Sequence, residues 1–90
     1  MTKTSIFQDA WTKIGDNVSS ITFQNQSATP LMIIITAADV APNITDVGMV
    51  YSRYEGELKK LLTDLTYTSS PAYVWVRSIT KNSTVVHESA

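Results

Sequence analysis

The segment Tyr73-Val74-Trp75-Val76-Arg77-Ser78-Ile79 decides the fold class. Its side chains separate with a period of two: Val74 and Val76 to one side, Tyr73, Trp75 and Arg77 to the other. That is the period of a β-strand, with no stripe at helical spacing. A turn over residues 80–82 and a returning run over residues 83–88 predict an antiparallel hairpin at this end of the chain. Moving outward, residues 18–25 alternate in the same way, with Ile21 and Phe23 on one face. Residues 26–30 read as a loop whose Pro30 stands at the start of the next strand. Residues 31–36 are apolar on both faces, as expected of a central strand covered on both sides or lying against a neighbouring subunit. As an uncovered edge, such a run would invite strand addition by a partner. A loop over residues 37–45, partly fixed by Pro42, leads to a further strand candidate at 47–51.

Two segments read as helix. In residues 54–65 Leu58, Leu61, Leu62 and Leu65 fall at i, i+3, i+4 and i+7, and Glu55 and Lys59 form an i, i+4 pair. In residues 5–14 Ile6, Phe7, Ala10, Trp11 and Ile14 have helical spacing, with Ser5 and Gly15 as caps, although a strand over residues 11–14 competes. Residues 1–4 are polar and read as a flexible N-terminal arm. Val, Ile and Thr supply 28 of the 90 residues, a bias towards pleated structure. The expected architecture is a single mainly β domain over residues 1–90: a small antiparallel β-sandwich or barrel of about six strands with one or two short helices.

The chain offers little material for chemistry. It has no cysteine for a disulfide or thiolate site, and one histidine, His87, beside Glu88 on a strand where neighbours face opposite ways. No nucleophile elbow, phosphate-binding glycine loop or zinc spacing is present. The expectation is therefore no enzyme, no catalytic residue, no cofactor and no metal. Asp39, Asn43 and Asp46 could offer oxygen ligands in a loop, but the spacing is not that of an EF-hand. A formal charge of −1 provides no field for nucleic acid or anionic lipid. No apolar run has signal-peptide or membrane-spanning length, so a cytoplasmic product is expected. All four asparagines, Asn17, Asn25, Asn43 and Asn82, stand in N-x-S/T triplets, a pattern that turn chemistry explains as well as glycosylation does.

The run Tyr73-Val74-Trp75-Val76-Arg77-Ser78, then Ser83-Thr84-Val85-Val86 and the terminal Glu88-Ser89-Ala90, resembles the ending of short bacteriophage virion proteins. Ile21-Thr22-Phe23-Gln24-Asn25-Gln26-Ser27 with Pro30-Leu31 is similar to their central segment; the leucine-rich stretch 54–65 departs from it. The resemblance implies a β-rich, non-enzymatic structural protein of the virion, made in the host cytoplasm. Its expected role is in a tail, collar or fibre attachment, or as a capsid decoration, and its expected partners are itself, as a homo-oligomer, and larger virion proteins. Candidate contact residues are Phe7, Trp11, Leu31, Ile33, Tyr51, Tyr54, Tyr73 and Trp75, with Trp11 and Trp75 equally placed for a core. The alternative is a carbohydrate- or ligand-binding β module using exposed aromatics; a small hydrolase built on His87 is a third reading.

Overall fold

The computed structural model describes all of Met1–Ala90 and contains eight strands. They are β1 (Thr2–Ile6), β2 (Thr12–Gly15), β3 (Ser20–Asn25), β4 (Leu31–Thr36), β5 (Met49–Tyr51), β6 (Gly56–Leu61), β7 (Tyr73–Ser78) and β8 (Ser83–Ser89), with a 3-10 turn at Leu62–Asp64. Two antiparallel four-stranded sheets, ordered β1-β8-β3-β6 and β2-β7-β4-β5, face each other. The pairs β1·β8, β2·β7, β3·β6 and β4·β5 are all hydrogen-bonded. The chain is thus one long hairpin with its tip between β4 and β5. Rolling that hairpin up adds β3·β8 and β4·β7. This connectivity is the eight-stranded jelly roll. Each sheet keeps two free edges, so the structure is a sandwich and not a closed barrel.

The core lies between the sheets and follows from alternation. Ile21 and Phe23 of β3 and Val85 of β8 face Leu31, Ile33 and Ile35 of β4 and Val74 and Val76 of β7, with Ile6, Ile14, Tyr51 and Leu62 closing the cluster. Phe23 and Tyr51 meet edge to face, with ring centroids 4.8 Å apart. Two polar side chains, Asn25 and Ser78, are fully buried, and Asn25 is the larger. Asn25 donates through Nδ2 to the carbonyls of Thr29 (2.8 Å) and Tyr51 (3.1 Å), and its Oδ1 accepts from the Ser27 amide at 2.9 Å. Its main chain bonds Tyr54 and Glu55, so one residue ties two loops to the end of β3.

Several expectations are corrected. Eight strands stand where about six were expected, and the only helical element is the 3-10 turn. Residues 54–65 do not form a helix: Leu62 is buried and Leu65 packs against the core, while Leu58 and Leu61 project into solvent, so the four leucines do not form one stripe. Tyr54 and Lys59 have φ of 64° and 48°, which interrupt any helix, and β6 pairs with β3 across a bulge. A Cβ on Gly56 would overlap the Phe23 carbonyl, so only glycine permits that approach. Residues 5–14 are the end of β1, a turn and the start of β2, which deliver Ile6 and Ile14 to the core from different sheets. Residues 2–4, expected to be a loose arm, are paired with β8 as the first part of β1. β4 is an interior strand between β7 and β5 and not an uncovered edge.

Candidate interaction surface

The outward face of the β2-β7-β4-β5 sheet is apolar and aromatic. Register places Lys13, Trp75 and Ile34 in one row across it, and Arg77, Met32 and Val50 in the next. Trp75 and Met32 point away from the core and yet are only 7% and 6% exposed. The connection from β4 to β5, residues 37–48, leaves the sheet at Thr36 and is bonded to Trp11 and Lys13 on the β2 side, so it crosses this face.

Two bonds pin this strap to the far edge. The Trp11 indole Nε1 donates to the Asn43 carbonyl at 2.9 Å, and Lys13 Nζ donates to Asp39 Oδ1 at 2.8 Å. The span is two strand spacings, roughly 10 Å. Cations fill the gaps between rings: Lys13 Nζ lies 5.6 Å from the Tyr73 centroid and 5.8 Å from that of Trp75, and the Arg77 guanidinium lies 5.4 Å from that of Trp11. The bond to Asp39, offset by desolvation and reinforced by Asp16, raises the Lys13 pKa above the ordinary lysine value. Within the strap Asn43 and Asp46 close a turn, the Asn43 amide donating to Asp46 Oδ2 (3.0 Å) and the Asp46 amide to the Asn43 carbonyl (3.0 Å). Gly48 passes so close to the Ile33 carbonyl that a side chain there would overlap it.

The strap hides one apolar surface and presents another. Val40, Ile44 and Val47 on it, and Val50 beside it on β5, are exposed aliphatic side chains within eleven residues of sequence, Val47 at 81%. They have left water for no partner in the protomer, which marks them as a candidate contact patch.

The expected contact residues divide three ways. Leu31, Ile33 and Tyr51 belong to the inter-sheet core and cannot be surface contacts. Trp11, Tyr73 and Trp75 lie together on the strapped face, the first two partly exposed and Trp75 covered. Phe7 and Tyr54 are exposed, Phe7 just after β1 and Tyr54 before β6. The four strap and β5 aliphatics were not among the candidates. Their signal was present as branched apolar residues inside a stretch punctuated by Pro42, Asn43 and Asp46.

A second surface is the outer face of the other sheet, a shallow depression of about 330 Å³ lined by Met1, Thr22, Gln24, Tyr54, Gly56 and Leu58. Gln24 Nε2 donates to the Tyr54 carbonyl at 3.0 Å, and the Arg53 guanidinium stacks 4.8 Å from the Tyr54 centroid.

His87 and Tyr51 each make a side-chain hydrogen bond between strands. His87 Nε2 lies 2.7 Å from Thr4 Oγ1, joining β8 to β1. Register puts His87 opposite Phe23 and Glu88 opposite Thr22, so the two face opposite ways. Burial, then the positive amino terminus, lowers the His87 pKa. The Tyr51 hydroxyl donates to Glu57 Oε2 at 2.9 Å, and burial followed by this carboxylate raises the phenol well above the ordinary tyrosine value. No three His, Asp or Glu side chains converge. Asn25, with both amide hydrogens engaged in the interior, is closed to glycosylation in the folded chain. Comparison with known proteins finds no family model, no curated protein and no solved structure that matches this chain.

Proposed function

We propose that this chain is a non-enzymatic structural protein of a bacteriophage virion. In this reading it is a small tail, collar, fibre-attachment or capsid-decoration component, made in the host cytoplasm. It acts by packing against copies of itself and against larger virion proteins. The observation that carries the reading is the set of exposed aliphatic side chains Val40, Ile44 and Val47 on a strap held by Trp11 and Lys13, with exposed Val50 beside it on β5. A pinned segment loses little conformational freedom on docking, which lowers the ordering cost of binding. The jelly roll also occurs in viral capsid proteins, a support by analogy of fold and not of site.

The test is co-purification of the chain with particles in fixed stoichiometry, followed by the same measurement on Val47→Asp. Val47 is exposed, so the substitution should leave folding stability within about 0.5 kcal/mol while removing the chain from the particle. A chain absent from every particle overturns the proposal. A second reading, a carbohydrate-binding module, is favoured by Tyr54 over the depression on the opposite face. Glycan binding by an isolated protomer, abolished by Tyr54→Ala, would establish it instead.

A further inference from the structure

The four free edges of the sandwich are not equivalent. β5 has three residues. β2 has four and a register break between Lys13 and Gly15. β6 has a bulge, a positive φ at Lys59 and two adjacent lysines. Shortness, bulges and lysines are the devices that keep sheet edges from pairing. β1 has five residues in unbroken register with β8, and no turn or loop bond uses a main-chain group of Thr2–Ile6. Its single charge is Lys3.

We infer that β1 is a self-pairing edge, and that its occupant is β1 of a second copy, antiparallel across a two-fold axis at Thr4. Residues opposed in an antiparallel pair share a face, so only registers centred on a residue are allowed. Centring on Lys3 opposes the two lysines. Centring on Ser5 opposes Lys3 to Phe7 and leaves Met1 and Thr2 unpaired. Centring on Thr4 uses all five strand residues, sets Lys3 against the partner's Ser5 and Thr2 against the partner's Ile6, and brings Met1 against the partner's Phe7. Met1 and Phe7 are both exposed large apolar residues in the protomer, and this register pairs them twice, once at each end of the joined strands. The product is a continuous eight-stranded sheet, β6-β3-β8-β1 followed by the same strands in reverse.

This deepens the self-assembly part of the proposed function by naming its surface, and the test separates the two. Sedimentation velocity across a concentration series is run on the wild type, on Ser5→Lys, and on Ser5→Lys combined with Lys3→Glu. Ser5→Lys creates two lysine–lysine oppositions at exposed positions and should raise the dimer dissociation constant about two- to thirtyfold. The double variant converts both into opposite-charge pairs and should restore dimerisation. A wild type that stays monomeric to its solubility limit overturns the inference and leaves docking on larger proteins intact. A dimer indifferent to both variants also overturns it, while placing self-assembly on another surface.

Discussion

Asn25→Asp exchanges one NH2 for one oxygen at a fully buried site, and its cost can be worked from three distances. Two donated bonds, to the Thr29 carbonyl at 2.8 Å and the Tyr51 carbonyl at 3.1 Å, become oxygen–oxygen contacts. One accepted bond, from the Ser27 amide at 2.9 Å, survives. An incompletely compensated buried charge costs about 3–5 kcal/mol. A chain of this length has a total stability of about 5–13 kcal/mol. At pH 7.5 the variant should therefore be severely destabilised, its urea midpoint falling by about 2–3 M for a slope near 1.5 kcal/mol/M. The new carboxyl has a folded pKa above its unfolded value of about 3.9, so its stability is fully present below pH 4 and is lost as pH rises through the folded pKa. Near pH 4 the protonated group donates one bond again, and the deficit should shrink to about 1 kcal/mol. Urea unfolding followed by circular dichroism, variant against wild type at each pH, isolates this term from the titration of His87. A difference below about 0.5 kcal/mol at pH 7.5, or one independent of pH, would refute the role given to Asn25 as the tie between two loops.

Other expectations rest on single contacts. His87 has a folded pKa below its unfolded value near 6.5, so the stability it contributes is complete above that value and is lost as pH falls through the folded pKa. The wild-type urea midpoint should drop more steeply between pH 7.5 and pH 5 than that of His87→Gln, and parallel curves would exclude the effect. Trp11→Phe removes the indole bond to Asn43 and leaves Trp75 as the sole tryptophan. Stability should fall by about 1 kcal/mol, and acrylamide should quench Trp75 emission more efficiently than a strap-covered ring allows; unchanged quenching would mean the strap is held by other contacts. Gly56→Ala drives a methyl into the Phe23 carbonyl and should cost about 1–3 kcal/mol in thermal unfolding. A neutral outcome would show that β6 can move away from β3 freely.

What was legible in the sequence follows from how many sides of each strand are occupied. β3 and β7 are interior strands with one face in the core, so their side chains alternate; the reading of Ile21 and Phe23 as inward holds, and the face shared by Val74 and Val76 is the one that meets the core. β4 was legible as covered on both sides because Leu31, Ile33 and Ile35 fill the core while Met32 and Ile34 meet the strap side. β1 and β6 are edges with mostly exposed side chains, so no alternation is imposed on them, and leucines fell at helical spacing without forming one stripe. The aromatic face of β7 was read correctly, but the strap over it depends on a chain path that crosses a neighbouring strand. That is why Trp75 is covered and the exposed aliphatics lie elsewhere.

The rolled hairpin also sets an order of events during synthesis. Each outer layer closes on strands farther apart along the chain, from β4 with β5 at the tip to β1 with β8, where Thr4 meets His87 across 83 residues. At translation rates of about 5–20 residues per second, β1 waits roughly 4–17 s for its neighbour. Over that interval the first strand made is the last to be enclosed, and its unguarded main chain is open to any other nascent copy on the same message.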